Sequence, residues 1–402
     1  MTDARLRLFW HRAGPMTAVF GVFAVAAAQG CGGGGTGGTG GTGGTTSSST
    51  TTTTMSTTTT MSTTTGMGGM TTTTTTTGTG GAPTALTPTL TANQVTPFDV
   101  TPDPMAKNLY FTGLSNTAGG APLAGVYTAA TTDTGTTAPT AVLAGAPYVA
   151  PFGIAISSDG NTLYVADPGA DITLDALGQN QIAGGSDLGA IFVQPVAGGA
   201  PTELMGTAGT DPRSVEVNSE GTPAADVIYF TGRNTTTGVV GVYKIAAAGA
   251  AAATKILEGP PLVDPSGVAI GSDGTVYVAD TIGPDGLGQV ISIAKGATMG
   301  TTLLPSVRVG YPAGIAITLD GTSLLVSSLD PLKATDIILE FLIATPAMQT
   351  PITMNINANT ESAGLHRAHG VDVFGFADGT AGAVGPSGTT AAVPGGAVYT
   401  VK

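Results

Sequence analysis

The sequence predicts an all-β protein: a six-bladed β-propeller whose N-terminal strand closes the last blade, preceded by a disordered linker. Three observations carry that prediction. A phrase of the form Pro-x-Gly-aliphatic-Ala-aliphatic, followed by Asp-Gly and a second apolar strand, recurs at near-regular spacing. The strands it introduces are apolar on both faces, which requires neighbours packed on both sides. The two ends of the repeated region are complementary fragments of one repeat unit.

The chain has 402 residues, but between Arg12 and Asp99 there is no Lys, Arg, Asp or Glu. A stretch that long without charge is not ordinary globular surface, so the folded part is expected beyond it. Residues 1 to 30 read as an export signal: Arg5, Arg7 and Arg12 precede the apolar run MTAVFGVFAVAAA at 16 to 28, which has signal-peptide rather than membrane-spanning length. Cys31, the single cysteine, follows at the end of AAAQGC, a string that resembles the lipobox of bacterial lipoproteins. The resemblance implies cleavage before Cys31 and lipidation of its thiol, hence an exported protein attached to a membrane of the bacterial cell envelope. The alternative is an uncleaved signal anchor with a chance cysteine.

Residues 31 to 82 are nearly all Gly, Thr and Ser, with Met55, Met61, Met67 and Met70 scattered among them. Without bulky side chains to bury, such a segment cannot offset the entropy of ordering, and a disordered tether is expected. After loss of residues 1 to 30, the 13 basic and 26 acidic residues of the whole chain become 10 and 25, a net charge of −15. A surface so acidic repels nucleic acid and anionic lipid, so nucleic acid is not an expected partner and membrane attachment would depend on acyl chains.

Residues 83 to 402 carry the repeats. APFGIAISSDGNTLYVAD (150 to 167), DPSGVAIGSDGTVYVAD (264 to 280) and YPAGIAITLDGTSLLVSS (311 to 328) are variants of one strand-turn-strand unit. Its Asp-Gly pair suits the positive φ of a tight hairpin. Taking Pro97, Pro151, Pro212, Pro265, Pro312 and Ala368 as equivalent starts gives spacings of 54, 61, 53, 47 and 56 residues, hence six units. Third strands are read at 125, 189, 241, 289 and 337, and short fourth strands at 141, 202, 254 and 301. The sixth unit stops after GGAVYTVK (395 to 402), matching a third strand, whereas residues 84 to 95 have the form of a fourth strand. These fragments are expected to pair and close the ring.

The repeat phrase resembles the NHL and SMP-30/gluconolactonase group of six-bladed propellers, most closely in blades two, four and five. The resemblance implies a channel lined by the first strand of each blade. On the alignment above, Phe98, Phe152, Arg213, Ser266, Ala313 and His369 would ring one mouth of that channel. In SMP-30-like lactonases such positions carry carboxylate and amide ligands to a divalent metal; this ring has none, which argues against a lactonase. His369, in AHGVDV, is similar to the channel histidine that acts as base in arylesterase-like propellers. It is a candidate catalytic residue together with Arg213, although no activated partner is fixed beside it in sequence.

Phe98, Phe152, Arg213, Ser266 and His369 are the candidate ligand-binding set, with Arg213 suited to an anionic or aromatic ligand unless Asp211 or Asp99 neutralises it. Asp167 and Asp280 are expected to accept backbone hydrogen bonds in the turn that follows strand two. Asp171, Asp175 and Asp187, in the long insertion of blade two, are a weak candidate Ca²⁺ site, with solvated loop charges as the plain alternative. The insertion is also the expected partner surface. These residues point to a lipid-anchored binding or scaffold propeller of the cell envelope, whose partner is an envelope protein or a small molecule. An envelope hydrolase or lyase working at the channel mouth is the alternative.

Overall fold

The computed structural model describes residues 86–92, 94–115, 123–169, 171–174, 180–219, 222–310, 313–330, 335–346, 349–353, 362–379 and 396–402. The signal, Cys31 and the Gly/Thr segment lie outside them. Residues Gly81–Lys402 make one compact unit, built from six four-stranded antiparallel sheets.

Each blade forms because a short turn returns one apolar strand beside the previous one. In the first, Val95–Pro102, Asn108–Ser115, Ala124–Ala130 and Thr140–Ala144 follow in order. The second uses Gly153–Ile156, Thr162–Asp167, Ala190–Pro195 and Thr202–Glu203. The insertion between its second and third strands, read from sequence as a loop, is a β-hairpin of Asp171–Leu174 and Asn180–Asp187. Blades three, four and five begin at Val215–Asn218, Pro265–Ile270 and Ile315–Ile317. Gly160, Gly274 and Gly321 take φ of +75°, +83° and +71° in the hairpins between first and second strands, the left-handed region that the Asp-Gly pairs predicted.

The ring closes as expected. Pro88–Ala92 pairs antiparallel with Ala397–Val401, in the register Pro88 with Val401, Thr89 with Thr400 and Leu90 with Tyr399. Thr91 Oγ1 lies 2.7 Å from Thr400 Oγ1 and accepts the Thr400 N–H at 3.0 Å. The core is correspondingly a set of six hydrophobic clusters, one at each blade–blade interface. The cluster between blades six and one joins Ala363, Ala377 and Val398 to Val100, Leu109 and Phe111. Strands such as Thr162–Asp167 bury side chains of both faces because a neighbouring sheet lies on each side.

Blade six corrects the sequence alignment. Its first strand is Ser362–Arg367, paired with Phe374–Asp378, so the equivalent of the repeat proline is Ser362 and not Ala368. Two x-Gly-aliphatic strings compete there: Ala363-Gly364-Leu365 and His369-Gly370-Val371. Leu365 is fully buried in the interface with blade five, whereas Val371 is 36% exposed, and burial of the larger apolar surface selects the first string. His369 therefore falls in the turn between strands one and two. The run GAAAAT at 249 to 254 is not helical; among the described residues the one helical segment is the short 3₁₀ turn Pro223–Ala225.

Candidate functional site

The first strands of the blades run side by side around the axis, and the repeat glycine is what lets them approach. A Cβ on Gly153 would lie 2.5 Å from the Arg213 carbonyl oxygen, one on Gly267 2.4 Å from that of Ala313, and one on Gly314 2.3 Å from the Leu365 nitrogen. Any side chain there would strike the backbone of the next blade. Blades one and three depart from the pattern, with Asp99 and Ser214 at the glycine position.

One residue earlier in each strand lies the mouth layer: Phe98, Phe152, Arg213, Ser266, Ala313 and, with the corrected register, Ala363. The rings of Phe98 and Phe152 stack with centroids 5.1 Å apart and planes 13° apart. The Arg213 guanidinium donates from Nη1 to Asp264, an acid not named from sequence. Asp264 also accepts from the Thr281 hydroxyl, and its N–H donates to Asp280 Oδ1 at 2.7 Å. Ser266 is fully buried, and its hydroxyl accepts the Ala313 N–H at 3.0 Å, a tie between blades four and five rather than a surface for ligand. His369 is absent from this mouth: at the opposite end its Nε2 donates to the Ile156 carbonyl at 3.0 Å.

Two residues after the glycine position comes an inner layer: Thr101, Ala155, Glu216, Ala269, Ala316 and His366. Three alanines leave room for a polar trio drawn from blades one, three and six. His366 Nε2 sits 3.1 Å from Asp99 Oδ2, and its Nδ1 2.9 Å from Glu216 Oε2. Asp99 and His366 side chains are each 4% exposed. Asp99 is held further by the N–H of Val100 at 2.8 Å and of Ile154 at 3.0 Å. Burial opposes a charged imidazole, but the charge and hydrogen bonds of the two carboxylates outweigh it and push the His366 pKa up to about 10. Burial likewise opposes ionisation of Glu216, and the hydrogen bond and charge of His366 reverse that and hold it below the usual range. At neutral pH the centre of the channel is an imidazolium clamped between two carboxylates.

That trio is hidden when blade six is counted from Ala368. With Ser362 as the start, His366 and Glu216 stand out as charged residues at a position that is alanine in three blades. Asp167 and Asp280 behave more broadly than expected. Asp167 accepts the N–H of Gly169 in the following turn, and also of Val149 and Ala150 before its blade. Asp280 likewise accepts from Ile282, Val263 and Asp264.

Below the trio, at the face formed by the turns between first and second strands, a cavity of about 380 Å³ opens between blades three to six. Glu216, Asn218, Ile270, Leu319, Arg367 and His369 are among its walls.

Among the described residues, no group of three or more His, Cys, Asp or Glu side chains is placed to hold a metal ion. Of the proposed Ca²⁺ ligands, Asp171 and Asp187 are backbone partners at the end of the blade-two hairpin, and Asp175 lies outside the described residues. Among those residues no helix is long and apolar enough to cross a membrane.

No protein-family model matches the chain, and no curated protein matches it. Solved structures do resemble it in fold. TolB from Acinetobacter baumannii is 11% identical, with 61% of this chain covering 51% of that one at a TM-score of 0.43, so the chain spans about half of that protein. A protein described as TolB from Agrobacterium tumefaciens is 13% identical over 75% of this chain and 89% of its own, at 0.45. One described as a glucose-dehydrogenase-type oxidoreductase from Thermus thermophilus is 12% identical over 79% and 99%, at 0.46. Likeness at this level is a likeness of fold, and a propeller scaffold does not specify an activity.

Proposed function

We propose that the protein is a binding or scaffold propeller of the bacterial cell envelope, exported by residues 1 to 30 and held to its membrane by acyl chains on Cys31. The observation that supports binding over catalysis is the commitment of the ionisable groups along the channel. His366 is already protonated and paired on both nitrogens, so it has no lone pair with which to act as a base. Arg213 is engaged by Asp264, and His369 stands at the other face with Nε2 on a backbone carbonyl. An envelope hydrolase or lyase built on His369 and Arg213 would need both groups at one mouth. The surface left for a ligand there is the half-buried Phe98 ring, backed by the buried Phe152, which suits an apolar or aromatic group.

Fractionation of cells expressing the full chain tests the address: the protein partitions with membranes, and Cys31→Ala moves it to the soluble exported fraction. A variant that stays with membranes overturns the lipid anchor. Lactone, aryl-ester and uronate panels test the role, with wild type and His369→Ala expected to remain alike at background. Turnover that His369→Ala abolishes would establish the enzyme instead.

A further inference from the structure

We propose that the turn face of the propeller, opposite the Phe98–Phe152 mouth, is a docking site for a short uncharged peptide segment of a partner protein, seated over the cavity between Glu216, Arg367 and His369. The inference deepens the reading of the protein as a binding module and rests on it.

The hydrogen-bonding capacity of the cavity selects the ligand. Arg367 spends Nε on the Ile317 carbonyl at 2.7 Å and Nη1 on the carbonyls of Ala368 and His369 at 2.7 and 3.3 Å. Each edge of the guanidinium has thus lost one donor, so the fork that grips a carboxylate or phosphate through two parallel bonds is not available, and the two N–H groups of Nη2 remain, each for a separate single acceptor. Glu216 receives His366 on Oε2 and the Val217 N–H on Oε1 at 3.0 Å, leaving room for single donors. A cation gains little there, because the carboxylate already faces two cations, the His366 imidazolium and the Arg367 guanidinium. His369, with Nε2–H given to Ile156, presents Nδ1 as a further acceptor. Separate single donors and single acceptors, with Val217, Ile270, Ile317 and Leu319 between them, match the C=O and N–H of a peptide backbone rather than a charged group.

The rim favours a protein over a small polar molecule. Met105, Leu319 and Val371 stand 68%, 53% and 36% exposed on the turns of blades one, five and six. Those turns are tied laterally: the Gly370 N–H donates to the Pro104 carbonyl at 3.3 Å, and the Leu319 N–H to Asp372 Oδ1 at 2.7 Å. Leu319 thus borders the cavity itself, and exposed Val371 and Met105 stand on the turns linked to it, an apolar border around a polar pocket.

The test uses the full chain and a positional library of N-acetylated, C-amidated hexapeptides built without Asp, Glu, Lys or Arg, alongside a matched library containing them and a panel of neutral monosaccharides. Uncharged peptides are expected to be retained, and Leu319→Asp and Met105→Asp to weaken the best pool by about tenfold or more with unchanged thermal stability. Equal retention of charged peptides, retention of monosaccharides alone, or no retention of any probe overturns the site. If retention depends on Phe98 and Phe152 while Leu319→Asp binds as wild type, the binding module stands and the turn-face site falls. Membrane release by Cys31→Ala is scored separately, so failure of the anchor is not confused with failure of the site.

Discussion

The carboxylate of Asp99 occupies the space that a side chain at residue 364 would need: a Cβ on Gly364 would lie 1.6 Å from Asp99 Oδ1. Asp99 stands where blades two, four, five and six carry glycine, and it fits because the neighbouring strand of blade six is bare at that point. From there its Oδ2 reaches both the Ile154 N–H of blade two and the His366 ring of blade six. The acid in the first blade and the glycine in the last form one steric unit across the seam of the ring.

Gly364→Ala is accordingly expected to cost about 3 kcal/mol, at the upper end for a single substitution, because backbone must move to clear the carboxylate. Asp99→Gly in the same chain removes the carboxylate from that clash and leaves only the residue 99 Cα, 2.6 Å from the new Cβ, so the double variant is expected to be more stable than the sum of the two by about 1 kcal/mol. Urea unfolding of all four proteins reads the coupling; strict additivity would show that the two residues do not compete for space.

His366→Asn leaves Asp99 and Glu216 facing each other without their cation, and a loss of about 3–5 kcal/mol is expected for a broken buried pair. The pH dependence follows from the two shifts. His366 is raised from 6.5 to about 10, so its contribution is complete below pH 6.5 and is lost as pH rises through about 10. Glu216 is lowered from 4.5, so its contribution is complete above pH 4.5 and is lost as pH falls through its folded value. Wild-type stability should therefore be highest between pH 4.5 and 6.5 and decline on the alkaline side as pH rises toward about 10. Unfolding free energies measured from pH 5 to 10 should show that decline in wild type and a flatter profile in His366→Asn. The same alkaline slope in both would refute the clamped imidazolium.

At the ring closure, Thr91→Val removes the acceptor of the buried Thr400 N–H and is expected to cost about 1–3 kcal/mol. Amide exchange localises the effect: protection should fall first in Ala397–Val401. A uniform change across all blades would mean that the seam is not the weakest element of the ring.

The loop before each blade is tested by Asp280→Asn. The carboxylate accepts the N–H of Val263 at 2.8 Å, of Asp264 at 2.7 Å and of Ile282 at 3.3 Å, more than one amide oxygen can serve, so about 2 kcal/mol should be lost. The same change repositions Asp264 and with it Arg213. Thermal unfolding within experimental error of wild type would show the acid to be dispensable.

Much of this architecture could be read from local pattern. Pro265 to Asp280 and its relatives announce strand, Asp-Gly turn and strand, and the half-units at either end announce the seam between Pro88–Ala92 and Ala397–Val401. Where blade six replaces the proline by Ser362, two registers satisfy the pattern equally. Only the packing of Leu365 against blade five separates them. The wrong register carries His369 to the mouth and hides His366. Local pattern also leaves Arg213 without Asp264, a partner 51 residues away that is brought near by the return of blade four.

Strands apolar on both sides and repeated six times need sheets packed on either face, as a ring or an open solenoid, and the complementary half-units at the two ends select the ring, so the propeller is legible in residue order. The composition of the trio at its centre is not. Asp99, Glu216 and His366 are separated by up to 267 residues and belong to blades one, three and six. They meet because closure carries the last first-strand back beside the earliest one, and because alanines on the other blades leave the axis empty. Charge pairing of that kind is a property of the closed ring, since no neighbouring residue in the chain supplies either of the two contacts.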